Sequence, residues 1–442
     1  MKILFTSLGC DKNLVDTEMM LGLLESKGHS FTDDEDEAEA VIVNTCCFIG
    51  DAKEESINTL LEFAEMRKNG SVKALIACGC LAQRYRDEIQ KEIPEVDAIV
   101  GTNAIREIVS ALEEVLGGNP GNHFRDLNAE PVAGLAQSVT TGGHYAYLKI
   151  AEGCDKHCTY CIIPKVRGGY RSIPMETLVK QAEELAEKGV KELILVAQET
   201  TLYGVDLYGK KSLPELLRQL AKIAGIYWIR ILYCYPEEIT DELIEVIATE
   251  PKVCHYLDVP IQHASDAVLK RMGRKTDQAS LRSIIAKLRE KIPDICLRTT
   301  LISGFPGETQ EDFEELYNFV DELEFDRLGV FPYSQEEDTA AAVMEGQVPE
   351  EIKLQRRDEL MELQQEIAFE KAEEMIGRKL VVMIEGKVTD EDTYVARTYR
   401  DAPNVDGYLF VNSTANFMTG DLVRVRVTDA NEYDLIGEVC HE

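Results

Sequence analysis

The sequence predicts an α/β chain in three parts: an N-terminal open parallel sheet covered by helices, a central partial (βα)6 barrel, and a small C-terminal β-barrel. Three observations predict it. Over residues 1–116, strand-length apolar runs alternate with amphipathic helical patterns, the signature of a parallel sheet. The alternation stops over 117–143, whose glycine, proline and polar content marks an interdomain crossing, and six further βα units run from 144 to 334. Past one long charged helical pattern, the chain ends in five short strands separated by turn residues.

The elements follow in order. "KILFTSLG" leads to a helix over Val15–Lys27, "AVIVNTC" to Ala52–Lys68, "VKALIACGC" to Ala82–Glu92 and "DAIVG" to Ala104–Leu116. The acidic run Asp33–Glu39 reads as a solvated connector. The barrel strands are "YAYLKIAEG", "ELILVAQ", "WIRILYC", "YLDVPIQ", "CLRTTLIS" and "RLGVFPYS". A helix over Pro349–Ile376, with proline in its first turn, closes a second domain spanning 144–376. Residues 377–442 carry "KLVVMIEGKV", "TYVARTY", "GYLFVN", "DLVRVRVTDA" and "DLIGEVC", a module of the oligonucleotide-binding type.

Composition narrows the function classes. Eighty acidic against forty-seven basic residues give a net charge of −33, the opposite of the basic footprint that phosphate contacts demand, so stable nucleic-acid binding is not expected. Such a chain is suited to a basic partner. The apolar runs are strand-length, and "MKILFTSLGC" lacks a secretory h-region, so the expected location is cytoplasmic and no membrane is involved. In that compartment twelve cysteines do not form a disulfide framework.

Two cysteine groups stand out. Cys154, Cys158 and Cys161 form C-x3-C-x2-C in "AEGCDKHCTYCIIP", just past the first barrel strand, at the end where barrel active sites form. His157 abuts Cys158 and is badly placed to complete a zinc site, whereas three thiolates hold an iron–sulfur cluster and leave one iron free. Cys10, Cys46 and Cys80 each fall at or just beyond the end of a predicted parallel strand, where an open sheet gathers its ligands. From the residues alone, this second trio is either a second cluster site or a set of core thiols.

A resemblance decides between them. C-x3-C-x2-C with Tyr160 before the last cysteine resembles the radical S-adenosylmethionine signature. "SLGCDKNLVDTE", "NTCCFIGDAKEES" and "GCLAQRY" resemble the cysteine motifs of the methylthiotransferase family within it. "VRGGYRS", "LVAQETTLYG", "LDVPIQHASDAVLKRMGR" and "SGFPGET" are similar to its radical domain, and the last module to its TRAM domain. The resemblance covers essentially the whole chain. It implies two 4Fe-4S clusters, one on Cys10, Cys46 and Cys80, the other on Cys154, Cys158 and Cys161, with S-adenosylmethionine chelating the unique iron of the latter. One S-adenosylmethionine supplies methyl to sulfur at the first cluster; a second, cleaved at the other, yields the radical that takes hydrogen from substrate. No side chain is expected to be catalytic beyond these cofactors. Cys46 is chosen over Cys47 because it follows Asn-Thr, and Cys80 over Cys78 because it precedes Leu-Ala-Gln-Arg. Tyr160, Gly168, Gly169, Gln262, Arg298 and Gly304 are candidate cofactor contacts, with Gly307 in the same turn as Gly304; the histidines, His157 and His263 among them, need no catalytic role.

The family has branches acting on adenosine of transfer RNA and one acting on a protein, at the β-carbon of an aspartate in the twelfth small-subunit ribosomal protein. Ser7-Leu8-Gly9-Cys10-Asp11-Lys12-Asn13-Leu14-Val15-Asp16 resembles the protein branch, with Asp11 where that branch has proline and Glu199 where it has aspartate. From Arg378 to the end, seven Lys/Arg stand against twelve Asp/Glu, a net of −5, which suits a basic protein better than RNA. The implied partners are that ribosomal protein, free or within the ribosome, and an electron donor of the flavodoxin or ferredoxin type. The rival reading is a transfer-RNA methylthiotransferase.

Overall fold

A computed structural model describes residues 1–440; the last two residues of the expected 377–442 domain lie outside the described residues. Strands β1 (Lys2–Ser7), β2 (Ser30–Thr32), β3 (Ala40–Thr45), β4 (Leu75–Cys78) and β5 (Ala98–Val100) make a parallel sheet in the order β2-β1-β3-β4-β5. β2 was not anticipated, because "SFT" is too short and polar to read as a strand. The acidic connector contains one 3-10 turn, Glu35–Glu37.

Helix α1 (Asp11–Ser26) starts four positions before its expected first residue. Its buried set includes Asn13, Asp16, Thr17 and Glu18 beside Val15, Met19 and Met20, so polar residues break the apolar period that would have revealed its start. α2 spans Gly50–Lys68. The single helix expected over Ala82–Glu92 is two, α3 (Gly79–Arg84) and α4 (Arg86–Glu92), broken where Tyr85 leaves helical geometry at φ −114°, ψ 31°. α5 (Ile108–Leu116) follows a 3-10 turn.

The central sheet holds β6 (Tyr145–Lys149), β9 (Glu192–Val196), β10 (Trp228–Ile231), β11 (Val253–Asp258), β12 (Cys296–Ser303) and β13 (Arg327–Pro332). All neighbours are parallel and follow in chain order, a six-stranded open barrel. A small antiparallel clip, β7 (Ala151–Glu152) with β8 (Arg171–Ser172), brackets the three-cysteine loop and the short helix α6 (Ile163–Arg167). The long helix Glu350–Glu373 starts after Pro349 and packs on β13. Strands β14 (Lys379–Lys387), β15 (Thr393–Thr398), β16 (Leu409–Asn412), β17 (Leu422–Asn431) and β18 (Asp434–Val439) close a barrel in the order β14-β15-β16-β18-β17. Among the described residues no helix is long and apolar enough to cross a membrane.

An open barrel must cover its inner face. Tyr145, Tyr147, Ile194, Val196, Trp228 and Tyr256 share one core with Val15 and Met19 of α1, and with Met383 and Ala402 of the C-terminal barrel. That barrel is held by buried ion pairs. Glu192 lies 2.8 Å from both Arg230 and Arg397, Arg397 lies 2.7 Å from Glu385, and Arg327–Asp401 and Arg400–Asp326 pair at 2.7 Å.

Burial opposes the charge on Glu192, Glu385 and Asp401, yet the neighbouring guanidiniums, with His144 at Glu385 and Thr398 at Asp401, keep all three carboxyls below their ordinary range. A depressed folded pKa stabilises above the unfolded value and is lost as pH falls through the folded one. Denaturant midpoints should therefore hold through neutral pH and fall on the acid side of the carboxylate range. Replacing Glu192 with Gln leaves the buried Arg230 without a counter-ion, Arg397 keeping Glu385, and should lower stability by about 3–5 kcal/mol at neutral pH while blunting that acid sensitivity.

Candidate active site between two cysteine triads

Two glycine–cysteine steps build the first triad. Gly9 and Gly79 both have φ +89°, and each turns the chain from a strand end into a helix that begins one residue after or one residue before the following cysteine. Neither has room for a side chain: a Cβ on Gly9 would sit 2.8 Å from Cys46 Sγ, and one on Gly79 2.3 Å from Asn44 Oδ1. Cys10 thus becomes the N-cap of α1 and Cys80 enters the first turn of α3. Cys46 follows β3, the strand between β1 and β4, and its backbone N–H donates to Ser56 Oγ at 2.9 Å.

The three thiols interact with one another, and burial pushes those of Cys46 and Cys80 above the ordinary thiol value. The two competitors also lie within electrostatic reach of Cys80. Cys78 donates its S–H to the Val43 carbonyl at 3.4 Å, and Cys47, pushed up to about 12 by burial, sits beside Arg84.

The second triad lies on the loop after β7. Gly153 (φ +79°) allows that loop to close on itself, since a Cβ there would lie 2.0 Å from the Gly169 carbonyl oxygen. Cys154 N–H donates to the Gly168 carbonyl at 3.1 Å, and Lys156 N–H points at Cys154 Sγ at 3.5 Å. Cys158 Sγ is 3.4 Å from the Tyr235 hydroxyl, whose ring carries the Arg274 guanidinium at 4.1 Å. Burial raises the Cys154 thiol to about 12, so a bare thiolate here is unfavourable without a cation. Among the described residues no three His, Cys, Asp or Glu side chains are arranged to hold a single metal ion. A triad that held a cubane would spread around it rather than converge on one point.

Arg167, six positions past Cys161, ties the barrel domain to the first triad. Its Nε donates to Cys80 Sγ at 3.3 Å, its Nη1 to Asp16 Oδ2 at 2.6 Å, and its Nη2 to Asn13 Oδ1. Lys149 completes the cluster, pairing with Asp16 and, at 2.8 Å, with Glu152. All four charged groups are buried, two positive against two negative, so the network is neutral. One side chain of the barrel domain thereby hydrogen-bonds a first-triad sulfur.

The remaining expected contacts fall in several places. Tyr160 packs edge-on to Phe305, ring centroids 6.4 Å apart. Gly168 and Gly169 form the wall against which Gly153 closes. Gln262 holds φ +71° at an isolated bridge to Leu301 near the end of β12. Arg298 faces Asp406 of the C-terminal barrel at 3.8 Å. Gly304 leaves space for the long helix, because a Cβ there would lie 2.3 Å from Lys353 Cγ; Gly307 does the same for Arg271. His157 takes φ +52° inside the loop, and buried His263 accepts the Ser265 N–H at 3.0 Å. Sequence reasoning passed over Arg167, Lys149, Glu152 and Asp16. The available signal was ionisable residues inside otherwise apolar runs, Lys149 and Glu152 in "YAYLKIAEG" above all.

Fold and site together define a radical S-adenosylmethionine protein with a domain added at each end. The Radical SAM superfamily model matches residues 148–320, flanked by uncharacterized protein family UPF0004 at 2–101 and the TRAM domain at 376–440. Among solved structures, the radical S-adenosylmethionine methyltransferase TsrM from Kitasatospora setae, with cobalamin and a [4Fe-4S] cluster bound, superposes with a TM-score of 0.55 at 13% identity over 75% of this chain and 72% of its own. The cobalamin-dependent enzyme OxsB matches with a TM-score of 0.55 at 12% identity, over 82% of this chain and 56% of its own. At such identity the likeness is one of fold. Curated relatives named ribosomal protein uS12 methylthiotransferase RimO are 62% identical in Lachnoclostridium phytofermentans, over 99% of both chains, and 50% identical in Clostridioides difficile, over 100% of this chain and 99% of that one. The chain belongs to the RimO family.

Proposed function

We propose that this chain is a radical S-adenosylmethionine methylthiotransferase that modifies the β-carbon of an aspartate in ribosomal protein uS12. The observation that carries this reading is a pair of three-cysteine groups, one in each of two domains, with Arg167 of the barrel domain donating to Cys80 of the other. The residues suit an iron–sulfur cluster at each: Cys10, Cys46 and Cys80 would hold one, and Cys154, Cys158 and Cys161 the other. In both, a glycine without room for a Cβ lies directly before a ligand cysteine, and buried thiols stand in need of a cation. When bound, the clusters with S-adenosylmethionine supply the radical and methylthio chemistry that ordinary side chains lack.

The chain's own residues position and exclude. Arg167, through Asp16 and Asn13, sets the N-terminal domain against the barrel, and a donor on Cys80 Sγ stabilises negative charge on that sulfur. The Tyr235 hydroxyl does the same beside Cys158. Tyr147, Tyr256 and Trp228 fill the barrel interior beneath and keep water out.

A basic ribosomal protein suits the charge. Past position 377, Arg397 and Arg400 on one side and Glu385, Asp401 and Asp406 on the other are engaged in ion pairs, and the residues left to the barrel surface remain acidic in excess. The test is anaerobic reconstitution with S-adenosylmethionine and a strong reductant, offering uS12 and an unmodified transfer-RNA anticodon stem-loop in parallel. Mass spectrometry should find one methylthio group in place of one hydrogen on uS12 and none on RNA. Modified RNA with unmodified protein would overturn the reading in favour of the transfer-RNA branch.

A further inference from the structure

We propose that Lys12 is the residue that recognises the side-chain carboxylate of the target aspartate. The inference rests on the protein-modifying function above and deepens it to a specificity determinant. Four observations carry it.

Lys12 is a buried cation without an anion. Its side chain is 7% exposed, and among the described residues its partner is the Tyr233 ring, with Nζ 3.3 Å from the centroid, rather than a carboxylate. Every other lysine or arginine buried to this degree at the domain junction is paired: Lys149 and Arg167 with Asp16 and Glu152, Arg84 with Glu336. An ammonium stacked on an aromatic face retains its hydrogen-bond donors, because the ring quadrupole satisfies charge and not N–H groups. The stem of Lys12 is buried while its ammonium is not sealed off, so those donors remain open to a ligand.

Its location is the wall between the triads. Lys12 lies two residues past Cys10. Tyr233 lies two residues before Tyr235, whose hydroxyl touches Cys158 Sγ. The segment Leu232–Tyr235, at the C-terminal end of β10, therefore runs from one triad to the other, and a carbon that must be reached from both has to pass along it.

The segment is held in that pose at a cost. Tyr233 is left-handed at φ +61°, a conformation an aromatic residue rarely adopts. Thr200 Oγ1 donates to the carbonyls of Leu232 and Tyr233 at 2.8 and 3.0 Å, Asp258 Oδ2 accepts Tyr233 N–H at 3.0 Å, and the Tyr233 hydroxyl donates to Asp11 Oδ2 at 3.2 Å. Asp11 is thereby occupied. Three of these bonds act only to hold the backbone that presents the ring under Lys12.

The other charges facing this wall leave Lys12 the cation free for a ligand. Arg298 is directed to Asp406, and Asp258, the carboxylate that Lys12 influences, lies beyond ion-pairing distance with its Oδ1 buried and unpartnered. An aspartate side chain entering the passage would bring the missing anion to Lys12.

The test uses reconstituted holoenzyme and two forms of uS12, one with the target aspartate and one with asparagine there. The two substrates have the same shape and differ in charge and in one acceptor oxygen exchanged for an amide donor. Wild type should favour the aspartate form by roughly 10- to 100-fold in kcat/KM, the scale of a hydrogen bond to a charged group. Lys12→Gln should reduce that ratio to within a few-fold, and Lys12→Arg should restore most of it. The ratio compares two substrates on one enzyme, so a loss of folded or cluster-loaded fraction cancels. Dissociation constants for the two forms, measured on wild type by titration without reductant, should differ in the same direction. A ratio that survives in Lys12→Gln, or wild type that does not distinguish the two forms, overturns the assignment. Wild type inactive on the aspartate form instead overturns the proposed function, and this inference with it.

Discussion

Replacing Arg167 with leucine should unfold the junction between the two triads before it touches any cysteine. The substitution leaves Asp16 and Glu152 facing Lys149 alone, one buried negative charge uncompensated, at about 3–5 kcal/mol. It also removes the donor to Cys80 Sγ and the bond to Asn13 that anchors the start of α1. Since misplacement by an ångström costs about 100-fold in a positioned reaction, methylthio transfer should fall at least that far, and urea midpoints should drop together with it. Arg167→Lys separates the two causes. A lysine keeps the charge and so recovers most of the stability, but its single ammonium cannot reach Asp16, Asn13 and Cys80 together, so transfer stays impaired. Leucine with full transfer and unchanged stability would show that the network is ornamental.

Alanine at the cysteines should divide the activity in two. With Cys10, Cys46 or Cys80 replaced, reconstituted protein should bind roughly four fewer irons, and cleavage of S-adenosylmethionine to 5′-deoxyadenosine should persist while methylthio transfer is lost. With Cys154, Cys158 or Cys161 replaced, iron falls by the same amount and both activities vanish. Cys47→Ala and Cys78→Ala are the controls that matter, because each is adjacent to a proposed ligand or one residue from it. Both thiols lie near Cys80, but Cys47 sits beside Arg84 and Cys78 is engaged by the Val43 carbonyl, so iron content should be unchanged. Loss of iron in either control, with retention in Cys46→Ala or Cys80→Ala, would reassign the first site. Iron and 5′-deoxyadenosine are counted on the same preparations.

Much of this molecule was legible before any coordinates. The alternation of strands and helices, the glycine-rich crossing and the five terminal strands are local patterns of period and turn chemistry, and local patterns survive in one dimension. So did the cysteine positions. C-x3-C-x2-C is a contiguous loop, and Cys10, Cys46 and Cys80 each end a strand, a position the strand pattern itself marks. Where the reading slipped, burial on several faces was the cause. α1 lost its apparent start because Asn13, Asp16 and Glu18 are buried polar residues in a helix enclosed on most sides, and the helix at Ala82 lost its break because nothing in "RYRD" announces that Tyr85 leaves the helix.

What the sequence by itself determined is the set of elements, the two groups of three cysteines, and the acidic surface, all properties of residues taken with their near neighbours. What only the tertiary structure decided is which buried charges belong together. Arg167 and Cys80 are 87 positions apart, Lys149 and Asp16 are 133, and Arg397 and Glu192 are 205. No periodicity links such pairs. They are chosen by the docking of one domain on another, because a buried charge is tolerated only where the fold brings it a partner.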